Sequence, residues 1–403
     1  MPTKLLQKRP CPKVRSTLHI KNRNVRCWYF GFPGLSAFDG EWSTALARAL
    51  RSKSRKHWLL LCLSSTGMFV GFIAATLLMR FYYSNGGSRR WLCGWVQTAG
   101  WPVCALAMLI VYFKASSSSS DSPGHHHLLA PFSFKLVAAF ASIGCLIALD
   151  NFLYSWGMSY LPASTAGLLT SSQLAFNSLF ALFLLRKSIG PYVWNSIVLV
   201  SSSAVLLGLH SSSDELPGVS REQTGHGYVM TITAAGLYGL ILSLTELVFA
   251  KVLGRKSTLL VLQMQTSTAL VATIVSTVGM AINNDFEAIH VEAAVFKAGS
   301  LAYFVTLLCS TLAWQAAFLG TMGVIFLSSS LLAGVILTVV IPVGAVFAYI
   351  FFHDAFGGLK VMALLLSCWG FVSYVYGGYV ESSAAPPAIP DNKEEHEEYV
   401  SSV

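Results

Sequence analysis

Ten apolar stretches, most of them twenty residues or so in length, recur between Trp58 and Tyr379, and none has a Lys or Arg in its interior. A membrane-spanning helix needs about 20 consecutive apolar residues, and a run of 18 or more without charge is the sequence signature of one. The repetition of that signature predicts an all-α integral membrane protein of about ten transmembrane helices.

Charge and composition agree with this solvent. Charged residues make up 11% of the chain and hydrophobic ones 54%, against roughly 25% charged in soluble domains, so an ordinary soluble enzyme is excluded. The net charge of +9 does not indicate a nucleic-acid partner, because thirteen of the 27 Lys and Arg residues lie between Lys4 and Lys56, ahead of the first span. That bias marks a cytoplasmic flank. Arg richness with few acids there also resembles a transit peptide, although Trp28 to Phe32 and Asp39-Gly40-Glu41 fit one poorly. No cleavable signal peptide is visible.

Spans are expected at Trp58 to Met79, Trp91 to Phe113, Phe134 to Trp156, Ser164 to Leu185, Tyr192 to Leu209, Tyr228 to Phe249, Leu259 to Met280, Ala298 to Leu319, Ser328 to Phe351 and Leu359 to Tyr379. With both termini inside, Lys and Arg number 21 on the inner segments and 6 on the outer ones, which supports cytoplasmic N- and C-termini. Phe180-Ala181 followed by Gly190 is echoed by Phe347-Ala348 and Gly357 at a constant offset of 167 residues. Two copies of five spans each must lie in opposite orientations, the inverted repeat that secondary transporters use for alternating access. The expected organisation is a basic extension over 1–56, a first five-helix repeat over 57–210, an outer linker over 211–227, a second repeat over 228–380 and an acidic tail over 381–403. The serine run Ser116 to Ser120 and His125-His126-His127 read as an inner loop, and no Cys-x-x-Cys or Cys/His zinc spacing occurs, so neither metal nor cofactor is expected.

Polar groups at bilayer depth are costly and face a cavity or another helix. Only Asp150 and Glu246 place a carboxylate well inside the spans. Either is a candidate proton carrier, and either could instead be a helix-end residue that reaches water or pairs with a hydroxyl. Six amides, Gln97, Asn151, Gln173, Asn177, Gln263 and Gln315, are spread over five spans. On a helix Gln97 and Trp101 share a face, as do Asp150 and Tyr154, and Gln173 and Asn177. An amide can meet the donor and acceptor on an adenine edge together, and a ring can stack on the base, so a neutral heterocycle would suit such a pocket. Interhelical hydrogen bonding is the alternative for each amide. Trp101, Tyr154 and Trp314 are the candidate stacking rings. Pro102 and Pro342 lie within expected spans, as hinges or as silent kinks. No Lys or Arg stands at mid-membrane to pair with phosphate, which disfavours nucleotide sugars and phosphorylated metabolites. No intramembrane His/Asp/Ser or metal cluster suggests an enzyme.

Several of these residues fall in motifs: Tyr82-x-x-x-Gly86-Gly87, Gln97-Thr98-Ala99-Gly100-Trp101-Pro102, Asp150-Asn151-x-Leu153-Tyr154-Ser155-x-Gly157, Tyr160-Leu161-Pro162-Ala163-Ser164-Thr165, Gln173-Leu174-Ala175-Phe176-Asn177 and Leu237-Tyr238-Gly239-Leu240. In these the chain resembles the plant purine permease family, within the drug/metabolite transporter superfamily. Members often carry Glu-x-Gln where this chain has Gln263-x-Gln265. The resemblance implies a ten-helix secondary transporter that takes up adenine-type bases, cytokinins or related heterocycles together with protons, in the plasma membrane. Asp150 would then carry the proton, with Glu246 as the second candidate, while Gln97, Asn151, Gln173 and Asn177 would read base edges and Gln315 is a further substrate-binding candidate. A carrier of another neutral or cationic metabolite, or a receptor that binds without transporting, remains an alternative at this point. Oligomeric state is open.

Overall fold

The structure, a computed structural model, describes residues 55–118, 133–186, 190–209, 218–253, 257–352 and 357–384. Most of the basic extension, the triple histidine and the acidic tail beyond 384 lie outside the described residues. The described residues are helical throughout: α1 (Arg55–Ser84), α2 (Arg90–Thr98), α3 (Trp101–Ser118), α4 (Phe134–Tyr160), α5 (Ala163–Thr170), α6 (Gln173–Leu184), α7 (Pro191–Leu209), α8 (Arg221–Val248), α9 (Thr258–Ile282), α10 (Asp285–Val295), α11 (Ser300–Leu327), α12 (Ser330–Phe352) and α13 (Gly358–Ala384). A π-helical turn, Phe249–Leu253, follows α8.

Seven helical stretches among the described residues are long and apolar enough to cross a membrane, and Pro191–Leu206 and Gly358–Tyr374 are shorter apolar helices. Large apolar side chains cover much of the surface, and polar side chains are buried within an otherwise apolar interior. Leu59, Phe134 and Leu301 are exposed, whereas Gln97, Asp150, Asn151, Ser155 and Asn177 are buried. An apolar surface over an interior that also holds polar groups belongs to a chain whose outside faces lipid. The protein is a multi-pass membrane protein.

The two ends of the bundle are defined by cross-chain contacts. At the lower end the start of α1 meets the end of α11, where Ser64 lies against Gly323, and Phe249 packs edge-on to Phe326 at 5.4 Å. At the upper end Tyr83 donates to the Ser155 carbonyl (2.9 Å), and Arg90 donates to Tyr160 (2.6 Å) while lying 4.9 Å over the Trp156 ring. α1 packs on α11, α4 on α8 and α9, α6 on α8, and α7 on α13. The α1–α11 approach is close enough to require glycine, because a Cβ at Gly71 would stand 2.6 Å from the Ala317 nitrogen and one at Gly320 2.5 Å from that of Met68. Small residues at such crossings let backbones meet where no hydrophobic force draws helices together.

Three features depart from the expected ten unbroken spans. The second is two helices, α2 and α3, separated at Ala99-Gly100. The fourth is also two, α5 and α6, separated at Ser171-Ser172. Between the expected seventh and eighth spans, where the sequence pattern predicts no helix, α10 lies at the upper end of the bundle. Pro102 is the second residue of α3, where a missing N–H at the start of a helix is least costly. At the other break the Leu168 and Leu169 carbonyls accept both the backbone N–H groups of Ser171 and Ser172 (3.2 and 3.1 Å) and their hydroxyls (2.6 and 2.8 Å), a tightened turn that interrupts the helix.

α10 is short and polar on one side, which is why it escapes a search for apolar runs. Its Glu292 accepts from the Tyr82 hydroxyl and from Ser88 Oγ (3.1 Å) and stands 3.7 Å from Arg89. Asp285, fully buried, pairs with Arg89 at 3.5 Å and accepts from Asn283 (2.8 Å). Paired acids and donors thus strap α10 across the upper ends of α1 and α2.

Candidate functional site

At the centre of the bundle lies a cavity bounded by side chains from α1, α2, α4, α5, α6, α8, α11 and α12. Its polar lining includes Gln97, Asp150, Asn151 and Gln173, and its aromatic lining Phe72, Tyr154, Tyr238, Trp314 and Phe318. The helix breaks explain how these side chains come together: Gln97 is the next-to-last residue of α2, and Gln173 is the first of α6. Each amide therefore stands beside an interruption that turns it inward. Irregular backbone at membrane depth is tolerated where it is buried or lines a cavity.

The aromatic side of the cavity is a connected wall. Trp314 stacks on Phe318 (5.3 Å between centroids, 26°) and meets Phe72 and Tyr154 edge-on at 5.6 and 6.0 Å. Tyr238 meets Phe72 edge-on at 6.3 Å. Mutual packing limits the rotation of each ring, so the wall is held before any ligand arrives.

The polar side retains unused hydrogen-bonding capacity. Gln97 Nε2 donates to Ser155 Oγ (3.1 Å) and the Asn151 carbonyl (3.4 Å), orienting its amide. Asp150 Oδ1, Asn151 Nδ2 and Trp314 Nε1 are buried without a hydrogen-bond partner. Gln173 is buried and its side chain makes no hydrogen bond among the described residues. Buried polar atoms are nearly always satisfied, and a set of orphans around one cavity is the geometry expected of groups that a ligand or water completes. Asp150 is the single charged residue in the lining among the described residues.

The remaining sequence candidates stand elsewhere. Trp101 opens α3 half-buried and is not part of the lining. Asn177 donates to the Ser330 carbonyl (3.1 Å) and accepts from Ser243 (3.0 Å), joining α6, α8 and α12. Gln315 donates to the Gln97 and Thr98 carbonyls (3.3 and 3.2 Å) and accepts from Cys104, bridging α11 to the α2–α3 break. Glu246 accepts from the backbone N–H (2.9 Å) and hydroxyl of Ser330, at the first turn of α12, where the helix dipole favours negative charge. These three are cross-links between helices. Phe72, Phe318 and Thr170 in the lining were not singled out from the sequence; apolar or small residues in apolar runs carry no signal that separates cavity from lipid.

Comparison with known proteins agrees with this architecture. A family model described as purine nucleobase transmembrane transport matches residues 59–384. Probable purine permease 5 of Arabidopsis thaliana is 36% identical over 87% of this chain and 96% of its own length. Purine permeases 3 and 2 of the same plant are each 38% identical over 76% of the chain, covering 87% and 88% of their own lengths. A match of this extent, running from the first apolar helix through the last, leaves one conclusion: the chain belongs to the purine permease family, whose members are membrane transporters and not enzymes.

Proposed function

We propose that the protein is a secondary transporter that carries purine nucleobases, and cytokinin-like molecules built on the same ring, together with protons. The central cavity is its substrate site. One observation carries the reading: an aromatic wall faces amides and a lone carboxylate across one central cavity, and that carboxylate has an unpartnered oxygen. Gln173, Gln97 and Asn151 offer donors and acceptors to base edges, while Trp314 and Tyr154 contact the ring face. A neutral base needs no counter-charge, which leaves Asp150 available to bind and release a proton.

The helix pairing favours two inverted five-helix repeats. Exchanging the first five spans for the second turns the α1–α11 pair into the α8–α4 pair and leaves α7–α13 and α9–α2/α3 paired with themselves. Gly190 and Gly357, the equivalent glycines, each stand just before the last helix of a half, and Ala181 and Ala348 are buried alike. The substrate cavity then sits at the interface of the halves, as alternating access requires. By the positive-inside rule the lower end faces the cytoplasm, and the plasma membrane is the proposed location.

The test is uptake of labelled adenine into cells lacking their own base transport, across external pH values and with a protonophore. Saturable uptake that rises at low pH and collapses with the protonophore is expected. Uptake indifferent to both removes proton coupling, and no uptake of adenine or of a panel of related heterocycles removes the substrate reading.

A further inference from the structure

A second, smaller cavity adjoins the first and shares Asp150, Asn151, Tyr238 and Phe318 with it. It descends between α4, α8, α9 and α11 toward the lower end. Its deepest residues are Thr245, three positions before the end of α8 at Val248, and Ile325, two positions before the end of α11 at Leu327. The two cavities together extend from mid-bundle into its lower half. Tyr238 and Phe318 stand where they meet.

We propose that this lower cavity is a hydrated inward passage, by which the proton and then the substrate leave the Asp150 site toward the lower end. The passage deepens the transport reading above and rests on it. Hydroxyls and an amide recur along its length at Thr98, Thr245, Gln265, Thr268 and Thr321, and Asp150 is its single charged residue among the described residues. Asp150, Asn151 and Thr245 line it, and Asp150 Oδ1, Asn151 Nδ2 and Thr245 Oγ1 have no partner. Asp150, Asn151 and Thr245 are each more than nine-tenths buried. Orphaned polar atoms beside one space are the partners a buried water takes, since such a water makes two to four hydrogen bonds to groups that protein leaves unsatisfied. Water beside Asp150 gives its proton a path that a dry apolar contact cannot. Met322 and Ile325 line the lower part of the cavity. Separation of α8 from α11 at that level opens the passage.

The test places single cysteines, Thr245→Cys and Thr268→Cys, in the full-length chain in membrane vesicles of known sidedness. Modification by a small, charged, membrane-impermeant thiol reagent is read by mass. Lys251→Cys, at an exposed position of the lower end, is the positive control, and the unsubstituted chain supplies the background of its own cysteines. Both positions are expected to react from the lower side, with adenine slowing the reaction several-fold. Thr321→Cys replaces either variant that does not reach the membrane. Failure of both positions to react from the lower side while Lys251→Cys does, or reaction from the upper side alone, overturns the passage. Lower-side reaction without flux of adenine or of the panel of related heterocycles in the same vesicles leaves the hydrated passage standing and overturns the transport reading instead.

Discussion

The side-chain amide of Gln315, on α11, donates to the carbonyl of Thr98 at 3.2 Å, and Thr98 is the residue whose helical partner four positions on is Pro102. Proline has no N–H, so a continuous helix through this point would leave that acceptor unpaired. Gln315 supplies the missing donor and also reaches the Gln97 carbonyl at 3.3 Å. A Cβ at Gly100 would lie 2.3 Å from Gln315 Cγ, so glycine there makes room for the bridge. The break that turns Gln97 into the cavity is thus stabilised from a helix more than two hundred residues away in sequence.

Gln315→Leu should strand two buried carbonyls. Leaving buried acceptors unsatisfied costs about 1–3 kcal/mol, so the detergent-solubilised variant should melt at a lower temperature than the parent. An unchanged melting temperature would show that the α2–α3 break holds without the bridge.

Gln173→Leu removes a buried amide that makes no hydrogen bond to the protein among the described residues. Stability should change little, while the half-saturation for adenine should rise by the worth of one hydrogen bond, about 0.5–1.5 kcal/mol or roughly 2- to 12-fold. Asn177→Leu should do the reverse, lowering the melting temperature through loss of its contacts to Ser330 and Ser243. The pair of measurements separates a ligand contact from a helix cross-link.

Replacing Trp314 by Leu should weaken adenine binding by about 1–3 kcal/mol if its ring contacts the base. Trp101→Ala should leave the half-saturation unchanged, because Trp101 lies outside the cavity lining. Equal losses in both variants would place the stacking surface elsewhere.

Asp150→Asn keeps the size of the side chain and removes the proton-binding site. Concentrative uptake should vanish, while exchange of labelled for unlabelled adenine down a gradient persists. Glu246→Gln should preserve concentrative uptake and destabilise the α8–α12 contact, since Glu246 serves Ser330 at the start of α12. Concentrative uptake that survives in the Asp150 variant and fails in the Glu246 variant reverses the two assignments.

Much of the site's content was legible along the chain. Charge-free runs revealed the membrane because lipid tolerates no other composition, and Asp150, Gln97, Asn151 and Gln173 stood out because polar groups are scarce there. Periodicity could not say which way each polar group points. In a helix that is apolar all round, the hydrophobic pattern no longer distinguishes an inner from an outer face.

The sequence by itself therefore determined the solvent, the helical class, the family motifs and a short list of residues worth their cost in hydrocarbon. The tertiary structure decided which of those residues meet. It divided the amides into Gln97, Asn151 and Gln173 around the cavity and Asn177 and Gln315 between helices, and it assigned Glu246 to a helix start. The physical reason is that a buried amide or carboxylate must be satisfied in either place, and only the position of neighbouring helices fixes whether protein or ligand provides the partner.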